Sequence, residues 1–145
     1  MSEFRSLCAV IGILAVGLGA GWAQAQKVWT PKAGSAERQA VLDAARVPVE
    51  KDLRQSVRFE LKTLRVTPQW AFVRGKPVRS DGRPVDYARS IYGEQSKSEA
   101  FDNAAAVLLV RTGGGWSVVT YSVGFTDEVW ETWDEEFGAP AWLWP

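Results

Sequence analysis

The stretch VRFELKTLRV, residues 57–66, decides the fold. Val57, Phe59 and Leu61 alternate with Arg58, Glu60 and Lys62, the period of two that marks a half-buried antiparallel strand. Leu64 and Val66 continue the apolar set with the opposite parity. A bulge near Lys62–Thr63 is therefore expected, because one extra residue returns both to the inner face. Upstream the period is helical. Ser35 is placed to cap a helix from Ala36 to Arg46, with Glu37 in the first turn and Arg46 in the last, both favourable for the helix dipole. Val41, Leu42, Ala44 and Ala45 give that helix a small-residue face able to lie close on a sheet. Pro48 is expected to break or restart it, with a further turn or two over Val49–Gln55.

Downstream, Thr67-Pro68-Gln69 reads as a turn and Trp70-Ala71-Phe72-Val73 as a second strand, with Trp70 and Phe72 on one face. Ala104–Thr112 and Trp116–Val123 form a hairpin around Gly113-Gly114-Gly115. Val107, Leu108, Leu109 and Val110 are apolar on both faces, which predicts a central strand. At the end of the chain Val129, Trp130, Trp133 and Phe137 recur at helical spacing, opened by Thr126 or Asp127 and closed by Gly138 and Pro140. The class is α+β: an N-terminal helix on a curled antiparallel sheet of about four strands, with a C-terminal Trp-rich helical segment. Val41, Leu42, Phe59, Leu61, Phe72, Leu109 and Val118 are the expected core.

The first 25 residues read as a secretory signal peptide. Arg5 precedes an apolar run from Leu7 to Ala20, and Ala23-Gln24-Ala25 is a small-x-small cleavage site. The run is short and Gly-rich for a membrane span, which takes about 20 apolar residues. The mature chain is expected to begin at Gln26, to form one domain over residues 26–145, and to be periplasmic or secreted. The alternative is a retained N-terminal anchor.

Composition excludes several chemistries. The chain has 17 basic and 17 acidic side chains and no histidine. Neutral balance argues against nucleic acid as a partner and against electrostatic anchoring to anionic lipid. Without histidine there is no Ser-His-Asp or Cys-His catalysis and no His-ligated metal. The one cysteine is Cys8, within the signal, so a mature chain carries no disulfide. No glycine pattern matches a phosphate loop or dinucleotide fingerprint. No cofactor is expected. Asp134, Glu135 and Glu136 lie on a predicted helix without the loop geometry calcium needs, so no metal site is assigned.

A resemblance adds to this reading. Glu37-Arg38 with Leu42-Asp43-Ala44, Trp70-Ala71-Phe72-Val73, Gly114-Gly115-Trp116, and Gly124-Phe125-Thr126-Asp127 with Trp130 and Trp133 resemble a set of small uncharacterised secreted proteins of Gram-negative bacteria. The order of helix and strands resembles cystatin-like and NTF2-like layouts. The resemblance implies a compartment and a fold, and no chemistry.

Three features are candidates for function. Charge is segregated: residues 26–111 carry a net +6, while residues 112–145 carry no base and the acids Asp127, Glu128, Glu131, Asp134, Glu135 and Glu136. Folding back of the acidic tail onto the basic body is the simplest account, and an acidic face for a basic partner is the other. Trp142 and Trp144 lie beyond the last predicted helix and are candidate binding aromatics. The polar excursion from Gly75 to Asn103 is long for a connection, so it holds a hairpin extension or a function. Its Asp86, Tyr87, Arg89 and Tyr92 are the candidate binding residues, with Asp86 and Arg89 able to supply an acid-base group and an anion clamp. Few of its residues look apolar enough to serve the core. The expectation is a non-enzymatic periplasmic protein that binds another macromolecule, a protein or an envelope component, in an inhibitor, envelope-accessory or immunity-type role. The alternative is a small-ligand binder or simple enzyme with a pocket in the concave sheet.

Overall fold

Helix α1 runs unbroken from Ala36 to Leu53 in the computed structural model, which describes residues 27–145. The signal-peptide reading and the Gln26 start lie outside the described residues. Ser35 caps α1, its hydroxyl accepting from the Arg38 N–H at 3.2 Å. Arg54 ends it with φ 56°, its N–H donating to the Glu50 carbonyl at 2.8 Å. The break expected at Pro48 does not occur. Proline removes a single backbone donor there, and the stripe Val41, Ala45, Val49 and Leu53, all fully buried, holds both halves of the helix on one surface. Tertiary packing overrides the local preference.

The four strands are β1 (Val57–Val66), β2 (Trp70–Arg79), β3 (Ala105–Thr112) and β4 (Gly115–Val123). They form one antiparallel sheet in the order β1-β2-β3-β4. The bulge is where the parity change required it: Leu61 faces Gly75 and Thr63 faces Arg74, with Lys62 the extra residue. Strand β2 runs past Val73 to Arg79, because Lys76–Arg79 continues to pair with Val57–Glu60. The excursion is correspondingly shorter than expected.

Alternation divides the core in two. Leu64, Val66, Ala71, Val73, Ala105, Val107 and Leu109 face α1. Phe72, Ala106 and Leu108 point to the opposite face, where Trp130, Trp133, Ala139 and Leu143 cover them. Strand β3 is buried on both sides, as its apolar run requires. Leu42, Phe59, Leu61 and Val118, expected in the core, are only half-buried. The helix packs mainly on β4 and β3, leaving Phe59 and Leu61 of β1 thinly covered, and Val118 lies on the edge strand β4.

The tail is not the single helix expected. A 3₁₀ turn over Val129–Thr132 leads into the five-residue helix α2 (Trp133–Phe137), and a second 3₁₀ turn spans Ala141–Leu143. Neither Thr126 nor Asp127 caps it. Gly138, at φ 76°, stops α2 after one turn and sends the chain back, so that Leu143 reaches the same apolar face as Trp130. Phe137 is left 37% exposed.

The tail docks through rings and not through ion pairs. Phe72 meets Trp130, Trp133 and Trp144 edge-on at centroid distances of 5.5, 6.4 and 5.9 Å. The Arg74 guanidinium lies 4.4 Å over the Trp130 ring. The ion pairs among the described residues are Asp43–Arg46, Asp81–Arg83, Glu94–Lys97 and Glu37–Arg111, and none joins a tail acid to a body base. Among the described residues no helix is long and apolar enough to cross a membrane.

Candidate functional site

The connection between β2 and β3 opens with a tight turn. The Arg83 N–H and its Nε both donate to the Asp81 carboxylate, at 3.0 and 2.7 Å, and hold that carboxyl down at about 2. Beyond Pro84 the chain does not extend as a hairpin. It folds back along the last turn of α1. Gln55 donates from Nε2 to the Asp86 carbonyl and accepts from the Asp86 N–H, both at 2.9 Å. The Ile91 N–H donates to the Asp52 carbonyl at 3.0 Å. Val85 is buried, and Tyr87 and Tyr92 pack against the α1 core. The expectation that the excursion serves the core little is therefore corrected: it closes one end of that core.

All three tyrosines of the chain converge at this point. Tyr92 and Tyr121 both donate to Asp52 Oδ2, at 2.6 and 2.8 Å. Tyr87 donates to Asn103 Oδ1. Phe101 lies edge-on to Tyr87, with centroids 4.9 Å apart, and tilted against Tyr92 at 6.1 Å. Gly124 makes room for it. At φ 84° a Cβ on Gly124 would stand 2.0 Å from the Phe101 ring, so only glycine fits.

The environment keeps these phenols protonated. Burial pushes Tyr87 up to about 12. Tyr92 is raised by burial first, and then by its hydrogen bond to the Asp52 carboxylate and that group's charge. Tyr121 is raised by the same causes in the same order. Each hydroxyl is a fixed donor and a poor base.

The six candidate residues fall in two places. Asp86, Tyr87, Arg89 and Tyr92 lie together on the α1 side of the sheet. Trp142 and Trp144 are half-buried, and Trp144 packs on Phe72 in the core of the other face. Asp86 is occupied: its Oδ1 accepts from the Ala88 N–H at 3.1 Å and caps the 3₁₀ turn Tyr87–Arg89. Arg89 is exposed, makes no ion pair among the described residues, and does not clamp against Asp86.

Sequence reasoning missed Asp52, Gln55, Phe101, Asn103 and Tyr121, which hold the excursion in place. It also missed the exposed apolar side chains beside it. Val47 is 66% exposed and Ile91 51% exposed, and Lys51, Arg54 and Arg89 are exposed with them. Two open hollows flank this crest. One, of about 440 Å³, is lined by Val47, Glu50, Lys51, Arg54, Gln55 and Ser56. The other, of about 420 Å³, lies beside Tyr92, Phe101, Val123 and Gly124.

No family model matches this chain, and neither a curated protein nor a solved structure is detectably similar to it.

Proposed function

We propose that this is a non-enzymatic protein of the periplasm or the exterior that binds an acidic protein partner through the crest formed by the end of α1 and the excursion. One observation carries the reading. Three of the four candidate side chains on the excursion are already used to hold it: Tyr87 on Asn103, Tyr92 on Asp52, Asp86 on the Ala88 N–H. What the crest offers to solvent is Val47 with Lys51 and Arg54 beside Glu50 on α1, and Ile91 with Arg89 and Asp86 on the excursion. A rigid apolar centre with a charged rim is the composition of a protein interface. The α1 side of the sheet, where a concave pocket for a small ligand would open, is filled by Val41, Ala45, Val49 and Leu53. An inhibitor, envelope-accessory or immunity-type role suits such a surface.

The test is site-specific photo-crosslinking in the native host. A photoreactive residue placed at Val47 or Ile91 should give a discrete adduct of higher mass, and one placed at the exposed Lys62 in the β1 bulge should give none. Charge reversal at Lys51, Arg54 and Arg89 should abolish the adduct. Equal labelling from all three positions, or none from any, overturns the reading.

A further inference from the structure

The two edges of the sheet are built differently. Strand β1 is guarded. Trp29 bridges Val66 with a pair of backbone bonds of 2.9 and 2.8 Å, Thr30 Oγ1 donates to the Leu64 carbonyl at 2.8 Å, and the Val57 N–H donates to Glu50 Oε1 at 3.0 Å. The Lys62 bulge interrupts what remains, and Arg58, Glu60 and Arg65 line it with charge. These are the devices that keep edge strands from pairing.

Strand β4 has almost none of them. Gly115–Val123 reads GWSVVTYSV, without a charge or a proline, and five of its nine residues are β-branched or tyrosine. Among the described residues its backbone bonds only to β3 on one side, and nothing bonds the other. Its one irregularity falls at Val119, between Val118 and Thr120, and leaves Thr120–Val123 regular up to Gly124. Gly124 bonds Ala104 and Asp102 on the β3 side, so by alternation the Tyr121 and Val123 amides face outward.

We propose that β4 is a self-association edge, and that two copies of this chain pair antiparallel along it about a two-fold axis. A second copy is the occupant for two reasons. The guarded β1 edge cannot accept β4 of a neighbour, so an open-ended chain of sheets is blocked, and the remaining pairing of like with like closes at two. A strand without charges can also lie against itself with no like charges opposed, although the body and tail of the same molecule carry net charges of opposite sign. The excursion meets this edge at its Val123–Gly124 end, where Tyr92 and Phe101 lie beside it.

Sedimentation equilibrium over a range of protein concentration tests the pairing. The wild type should reach twice the monomer mass. Ser117→Lys and Thr120→Lys should each restore the monomer with circular dichroism unchanged, and should remove the concentration dependence of the melting temperature. Because either lysine variant can fail to fold, amide exchange on the wild type is the second measurement. Protection at Tyr121 and Val123 should rise with concentration, while protection at the outward amides of β1 stays constant. A wild type that is monomeric throughout, a dimer that both lysine variants leave intact, or exchange at β4 independent of concentration overturns the proposal.

Discussion

Tyr121 of β4 donates its hydroxyl to Asp52 of α1 at 2.8 Å, on the same carboxylate oxygen that takes the Tyr92 hydroxyl at 2.6 Å. One carboxylate thus ties the helix, the last strand and the excursion together. An oxygen with two lone pairs can accept from both donors. Replacing it separates three elements that are remote in sequence.

Asp52→Ala should therefore lower stability by about 1–2 kcal/mol, since hydrogen bonds to a charged acceptor contribute more than neutral ones and this group is only half-buried. Asp52→Asn keeps an acceptor and should lose less. Urea titrations of the three proteins measure the order. Equal stability in all three would mean that the tyrosines find other partners and that Asp52 is not the tie.

Alkaline pH should loosen the same region. Tyr87 is held up at about 12 when folded, against an unfolded value of about 10, and Tyr92 and Tyr121 shift the same way. A group whose folded pKa is raised stabilises fully below the unfolded value, and that contribution is lost as pH climbs through the folded value. Stability should hold to about pH 10 and then fall toward about pH 12. The urea midpoint followed against pH, beside tyrosinate absorbance, checks this. Tyr87→Phe should flatten part of the decline.

The two cores should each be sensitive to a single truncation. Leu109 on the α1 face and Phe72 on the tail face are both fully buried. Leu109→Ala should cost about 2–5 kcal/mol and Phe72→Ala about 3–5 kcal/mol. Both should lower the melting transition, and only the second should also change the tryptophan fluorescence of the folded protein, because Phe72 touches Trp130, Trp133 and Trp144. A loss below about 1 kcal/mol at Leu109 contradicts its place in a strand covered on both faces.

The tail should be bound by area and not by charge. Deleting residues 126–145 uncovers Phe72, Ala106 and Leu108, so the truncated protein should bind a hydrophobic dye and melt lower. Changing Glu128, Glu131 and Glu135 to Gln should leave the melting temperature nearly unchanged at both low and high salt. A strong salt dependence in the wild type would restore the electrostatic account of docking.

Much of this fold was legible because its signals are local. The alternation of Val57–Val66 with its parity slip located a bulge near Lys62–Thr63, and the two-sided apolar run Val107–Val110 placed β3 inside the sheet. The misreadings came where distant residues decide. Pro48 looks like a break until Val49 and Leu53 are seen to continue the buried stripe of Val41 and Ala45. Val129, Trp130, Trp133 and Phe137 have helical spacing, yet the face to be covered is reached only by stopping at Gly138. At the candidate site the side chains Asp86, Tyr87, Arg89 and Tyr92 were picked out for their chemistry. Their partners Asp52, Gln55 and Asn103 carry no local pattern, so the sequence could not show that three of the four are structural.

Replacing residues 80–98 by a short Gly-Ser linker separates holding from recognising. The swap removes Val85, Tyr87 and Tyr92 from the α1 core, together with the paired bonds between Gln55 and Asp86 and the bond from Ile91 to Asp52. It also leaves the Asp52 carboxylate with one of its two tyrosines. The protein should be strongly destabilised, because a buried apolar surface and several satisfied polar groups are lost together. Arg89→Ala and Ile91→Ala act differently. Both side chains are exposed, so stability should change by no more than about 0.5 kcal/mol, while crosslinking to the partner from Val47 should drop. Calorimetry gives the first quantity and the adduct yield the second. A linker variant that melts with the wild type shows that the excursion does not close the core. Point variants that leave the adduct yield intact show that the partner binds elsewhere, and the exposed face of Phe137 is then the next surface to probe.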